Sequence, residues 1–378
     1  TFPEGALLAI DAAALRGSGE LPSIETVYTP DDRTSIEGVT VSRSGLYVSL
    51  LQNVKGSILR FGVEAKSGEW RAEPLPLPPS GTVSLSAANP HSGTVFVNYE
   101  DPITPDRLSE YDAGANVLTR LKALPARFQA DGLQVSQHTV RSADGEAVPY
   151  FVIHRKGLKL DGSTPTILYG YGGFEISLKP SYSATIGKLW LERGGAYAVA
   201  NIRGGGEFGP RWHKAALKTN RQRAYDDFIA VAEDLAKRGI TSPKRLGISG
   251  GSNGGLLVGA IFTQRPELLN AVVCRVPLLD MLRYTKLLAG ASWAAEYGDP
   301  EDPKMRAALL KYSPYQNMFP GRKYPKVFIE TSTKDDRVHP GHARKMVARM
   351  REQGHPVLYF ENTEGGHAAG ANLKQHAR

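Results

Sequence analysis

A serine set among glycines, Gly250-Gly251-Ser252-Asn253-Gly254, is the chain's clearest candidate for chemistry. Its G-x-S-x-G spacing suits a strand that turns sharply into a helix, with the central residue in a strained backbone conformation. Glycines on both sides let neighbouring backbone pass close by, and the hydroxyl is left exposed at the tip. Residues 245–249, centred on Leu246 and Ile248, read as a short buried parallel strand, and 256–262 are apolar enough for a buried helix. That helix would aim its first N–H groups, and the positive end of its dipole, at whatever sits on the hydroxyl. Ser252 is therefore the candidate nucleophile.

A serine nucleophile needs a base, and the base needs an acid to orient it. On a strand–turn–helix elbow these follow in the order Ser, Asp or Glu, His. A predicted strand at 326–331 runs into Ser332-Thr333-Lys334-Asp335-Asp336-Arg337, and another at 357–361 runs into Gly365-Gly366-His367-Ala368-Ala369-Gly370. His367 is the expected base, because its small neighbours let the loop fold tightly. Of the nine histidines, His339 is the nearest rival, but it sits beside the acid loop and not after the last strand. Spacing alone does not separate Asp335 from Asp336. An oxyanion needs donors too. The Asn253 N–H supplies one by position, and the loop Tyr169-Gly170-Tyr171-Gly172-Gly173-Phe174 offers a phenol and several glycine N–H groups.

These residues require a scaffold, and the pattern from residue 132 onward provides one. Strands are expected at 147–155, 166–171, 196–202 and 269–276, beside those already named. Helices are expected at 224–238, where Phe228, Val231, Ala232 and Leu235 form one stripe, and at 340–353. Strands alternating with helices imply a parallel sheet with helices on both faces, and chemistry at the carboxyl ends of its strands. Residues 1–131 differ. They look all-β and weakly repetitive: 45–50 alternates and 93–98 repeats that pattern 48 residues on, while 8–11, 59–62 and 109–112 recur at offsets near 50. Such offsets suit propeller blades of four short strands. Two or three blades fit here, whereas a propeller closes with four to eight, so the chain is expected to be part of a longer protein.

Composition sets the remaining bounds. With 41% hydrophobic and 22% charged residues the chain can bury a sizeable core, as ordinary soluble proteins do. A net charge of +8 is spread without a basic block, so no nucleic-acid partner is expected. No apolar run approaches the roughly 20 residues that span a bilayer, and no basic-then-apolar leader is visible. No membrane association is expected, and the cytoplasm is the expected compartment, with periplasm or secretion left open. The single cysteine, Cys274, lies in an apolar strand and reads as a buried small residue. Gly204-Gly205-Gly206-Glu207-Phe208-Gly209 formally matches G-x-G-x-x-G, but Pro210 interrupts it and Asp226 and Asp227 fall within a helix, so no dinucleotide is expected. His339 and His342 lack companions for a shell, so neither a metal nor any other cofactor is expected.

Six motifs in register carry a resemblance. They are YGYGGF at 169–174, NIRGGGEFG at 201–209, GGSNGG at 250–255, ASWAAEYG at 291–298, DDRV at 335–338 and GGH ending at His367. They resemble the prolyl oligopeptidase family of serine peptidases across residues 132–378. The resemblance implies an α/β-hydrolase catalytic domain at 132–378, preceded at 1–131 by the last blades of a seven-bladed propeller that caps the active site. It implies Ser252 as nucleophile, Asp335 as acid, His367 as base, and the Tyr171 hydroxyl with the Asn253 N–H as oxyanion hole. Trp293 would stack on a proline ring, Phe174, Tyr297 and Val338 would line that pocket, and Arg337 would hold a substrate carbonyl. The implied activity is cleavage of short proline-containing peptides on the carboxyl side of proline, by a monomer. The alternatives are cleavage after Arg or Lys as in oligopeptidase B, an esterase, and a catalytically silent binding module. The family continues in a helix beyond the catalytic histidine, whereas this chain runs 11 residues past His367.

Overall fold

The computed structural model describes residues 1–367; the small residues Ala368, Ala369 and Gly370 that follow His367 lie outside the described residues. The chain divides into two compact units. One holds Thr1–Ala130, Lys179–Ala184 and Gly206–Arg211, and the other holds Asp131–Leu178, Thr185–Gly205 and the chain from Trp212 on. The contiguous reading of 132 onward thus gives up two short loops to the first unit.

The first unit is built of antiparallel strands. Thr34–Ser42, Gly45–Gln52, Lys55–Val63 and Trp70–Pro74 form one four-stranded sheet in chain order. Thr82–Ala88, Val95–Asp101, Thr104–Asp112 and Val117–Ala123 form a second. The repeated segments 45–50 and 93–98 fall on the second strand of each, and 59–62 and 109–112 on the third. The segment 8–11 belongs instead to a two-stranded sheet of Leu7–Ile10 with Ile24–Tyr28. Alternation in Gly45–Gln52 is masked by burial on both faces: Val48 and Leu50 join Phe61, while Tyr47 joins Ile58, Val95 and Tyr111. Asp11 caps the short helix Ala12–Ser18, accepting from the N–H groups of Ala13 and Ala14.

The second unit holds an eight-stranded sheet. Its spatial order is Leu133–Arg141, Ala147–Arg155, Ala196–Ala200, Thr166–Tyr169, Leu246–Gly251, Ala271–Arg275, Lys326–Ser332 and Val357–Asn362. The last six run parallel, but the first two pair antiparallel, so the sheet is mixed and not purely parallel. A hairpin with a short turn joins those two strands, and only an antiparallel pair can be joined so tightly.

The helix Asn253–Gln264 runs through the core of this unit, with Leu256, Leu257, Val258, Ile261 and Phe262 all buried. Gln222–Lys237 buries the expected stripe of Phe228, Val231, Ala232 and Leu235. Each Leu, Val, Ile or Phe side chain among these contributes about 1.5–3 kcal/mol when withdrawn from water. The carboxyl ends of five parallel strands, at Tyr169, Gly251, Arg275, Ser332 and Asn362, lead into the loops that carry the candidate residues. Among the described residues no helix is long and apolar enough to cross a membrane.

Candidate active site

Ser252 occupies the N-cap of Asn253–Gln264 with φ 58° and ψ −118°, a conformation that persists only where the surroundings impose it. Its N–H donates to the Arg275 carbonyl at 2.9 Å, and its carbonyl accepts from Leu256 N–H at 3.1 Å. The turn leaves no room beside it. A Cβ on Gly250 would meet the Gly254 carbonyl oxygen at 2.2 Å, and one on Gly254 would meet the Gly170 oxygen at 2.8 Å. Glycine at these two positions is what lets strand and helix meet at so sharp an angle. The apolar helix behind directs its positive end toward the serine.

His367 Nδ1 lies 2.8 Å from Oδ2 and 3.0 Å from Oδ1 of Asp335. An ionised carboxylate only accepts, so Nδ1 carries the proton and Nε2 is left as the basic nitrogen. Asp335 is buried and Asp336 exposed, a difference that spacing could not express. Asp335 Oδ1 also accepts from the N–H groups of Arg337 at 2.9 Å and Val338 at 2.8 Å. Those two bonds fix the carboxylate's orientation before the histidine reaches it.

Tyr171 and Ser252 line one cavity of about 300 Å³, together with Phe174, Trp293, Tyr297 and Arg337. Burial pushes the Tyr171 phenol's pKa up, against the pull of a hydrogen bond with Ser252 and of the Arg221 charge. The phenol therefore stays protonated, a donor beside the serine. Phe174 and Tyr297 meet edge to face, centroids 5.7 Å apart at 84°. Val338 does not line this cavity; it is buried in the core and contributes its N–H to Asp335. Ile176 and Leu278 complete the lining. Isolated aliphatic residues carry no local signal, and neither was expected.

Other motifs have structural work. Arg203, in the glycine-rich loop, donates to Asp227 through Nε at 2.9 Å and Nη2 at 2.6 Å, and to Asp144 through Nη1 at 2.6 Å. The aspartate that a dinucleotide reading would assign to a ribose is thus buried against an arginine. His342 Nδ1 accepts from the N–H groups of Leu279 and Asp280, and burial lowers its pKa to about 4. His339 Nδ1 accepts from Gly341 N–H at 2.9 Å. Burial raises the Cys274 thiol's pKa far above the usual range, which keeps it a thiol.

A model of the prolyl oligopeptidase family, Peptidase_S9, matches residues 180–378, more than half of the chain. The chain belongs to the prolyl oligopeptidase family. Over 377 residues it is 52% identical to an uncharacterised peptidase of Sinorhizobium fredii, covering 100% of this chain and 52% of that one. A prolyl endopeptidase of Elizabethkingia miricola is 41% identical over 314 residues, covering 82% of this chain and 44% of the relative. The solved structure of a post-proline cleaving enzyme from Rickettsia typhi aligns with TM-score 0.90 and 36% identity, covering 99% of this chain and 54% of that one. The chain thus spans about half the length of the family members it matches.

Proposed function

We propose that the protein is a serine endopeptidase that cleaves short peptides on the carboxyl side of proline through an acyl-enzyme. The observation that carries this reading is Ser252 at its strained N-cap beside a cavity walled by Trp293, Phe174 and Tyr297. Among the described residues no carboxylate lines that cavity, and a pocket for an Arg or Lys side chain would want one. A flat indole and two aromatic edges instead suit a rigid pyrrolidine ring. The relatives named prolyl endopeptidase and post-proline cleaving enzyme support the same reading.

In the proposed mechanism His367 Nε2 takes the Ser252 hydroxyl proton as Oγ attacks the scissile carbonyl carbon. The carbonyl oxygen gains a negative charge, which the Asn253 N–H and the Tyr171 O–H stabilise. His367 then gives its proton to the leaving amine, the C–N bond breaks and an ester to Ser252 remains. Water repeats the sequence in reverse roles and releases the acid. Asp335 holds the His367 tautomer throughout, and Arg337 donates to a substrate carbonyl. Two sheets of the first unit, each of four antiparallel strands, would be blades of a propeller.

Two chromogenic amides, Z-Gly-Pro and Z-Arg-Arg, test the reading on the full-length protein. Cleavage of the proline substrate alone is expected; cleavage after arginine would sink the pocket assignment. Cleavage of an ester but of neither amide would favour an esterase. Inertness toward all three would leave the binding module. For the oxyanion role, Tyr171→Phe should lower kcat on the order of 10²-fold with little change in KM. Unchanged turnover would remove Tyr171 from that role.

A further inference from the structure

Behind the aromatic cavity lies a buried ionic network that none of the proposed catalytic steps uses. Arg221 is 1% exposed and Glu296 4% exposed. Arg221 Nη1 donates to Glu296 Oε1 at 2.8 Å, and Arg221 Nη2 donates to Asn253 Oδ1 at 2.5 Å. Tyr297 O–H gives that same Oδ1 a second bond at 2.8 Å. With its oxygen held by two donors, the Asn253 amide must turn its Nδ2 the other way, where it donates to the Tyr171 carbonyl at 2.6 Å. Glu296 Oε1 accepts from the Phe174 N–H at 3.0 Å, and Glu296 Oε2 pairs with His213 Nε2 at 2.7 Å. As the carboxylate can only accept, His213 is the donor.

The consequence concerns the loop that carries the Tyr171 phenol. It is clamped at two backbone points, the Tyr171 carbonyl and the Phe174 N–H, by one connected set of side chains. The clamp sits where the backbone is strained. Phe174 and Glu175 both have positive φ, 55° and 58°, which non-glycine residues keep only when their surroundings over-determine it. The same network grips Asn253, whose N–H is the other proposed oxyanion donor.

We propose that Glu296 is a positioning residue for the oxyanion hole: through Arg221, Asn253 and the Phe174 N–H it sets where the Tyr171 hydroxyl points. This rests on the proposed hydrolytic function. Glu296 touches no reacting atom in this scheme. Its single carboxylate ties the tyrosine loop to the first turn of the nucleophile helix, so both oxyanion donors share one anchor. Removing it leaves Arg221 buried without its counter-charge and frees the Phe174 turn to relax.

A double-mutant cycle on the full-length protein, with the Z-Gly-Pro amide as substrate, tests this. Glu296→Gln should lower kcat by about 10- to 100-fold with KM little moved, because displacing a group by a fraction of an ångström costs rate more than binding. Tyr171→Phe in the Glu296→Gln background should then cost far less than in the wild type, since the hydroxyl is already misdirected. A merely structural glutamate would give losses that multiply; full multiplication, or an unchanged kcat in Glu296→Gln, would overturn the proposal. Should Glu296→Gln fail to fold, His213→Asn loosens the carboxylate from the network's more exposed end. It should reduce kcat and again combine with Tyr171→Phe by less than the product; an unaltered kcat there would also overturn the role. A wild type that neither turns over the amide nor reacts with a serine-directed phosphonate would instead bring down the proposed function, and the positioning role with it. Activity in the wild type with multiplying losses would bring down the positioning role alone.

Discussion

Replacing Ser252 with alanine is expected to lower kcat for a proline amide on the order of 10⁶-fold, with substrate binding retained. The substitution deletes the attacking oxygen and nothing else of the turn. The backbone at φ 58° is held by the Arg275 carbonyl and by the close approach of Gly250 to Gly254, none of which involves the hydroxyl. Thermal stability should therefore match the wild type, and the residual rate should be what the oxyanion donors and the cavity provide alone. A variant that retained a tenth of the activity would mean that another group attacks, and the elbow would be only a tight turn.

Asp335→Asn should cost on the order of 10⁴-fold in kcat, and the geometry explains why so conservative a change would matter. Asp335 Oδ1 accepts from two backbone donors, the N–H groups of Arg337 and Val338. An amide at this position must keep its oxygen there, since its NH₂ would face two donors otherwise. The NH₂ then takes the Oδ2 site, 2.8 Å from His367 Nδ1. Facing a donor, Nδ1 must give up its proton, and the proton moves to Nε2. The nitrogen that should accept from Ser252 becomes a donor, and the base is lost with the fold intact. Asp336→Asn is the control. Its carboxylate is exposed, and kcat should be essentially unchanged. Equal losses in the two variants would contradict the assignment of Asp335.

The parts of this protein that were legible in its sequence are those with a local signature. Gly250, Ser252 and Gly254 announce the elbow because the close backbone approach there can be met only by glycine, and that requirement leaves a spacing. The stripe on Gln222–Lys237 is legible because one face of a helix in water must be apolar. Asp335 and Asp336 are adjacent on one turn, and what distinguishes them is burial, which depends on Val357–Asn362 lying alongside and bringing His367 with it. Tertiary contact decides there, not spacing. Leu133–Arg141 carries no strand signal in the sequence because its alternation lasts only from Leu133 to Ser136: Gln137 puts a polar residue on the apolar face, and Val140 an apolar one on the polar face. Its place at the sheet edge needs only one partner, Ala147–Arg155. The Arg221–Glu296 pair had no signature at all. Its members are 75 residues apart, each looks like an ordinary surface charge, and only the fold shows both buried.

The most direct test of the central claim is covalent labelling of the full-length protein with a proline diphenyl phosphonate, followed by mapping of the tryptic peptide that gains mass. One adduct is expected, on Ser252, within the tryptic peptide Leu246 to Arg275, since the Arg265–Pro266 bond resists trypsin; it should be absent in Ser252→Ala and slowed in Asp335→Asn. Phosphonate attached elsewhere, or no adduct from a folded protein at a concentration that saturates other serine hydrolases, would contradict it.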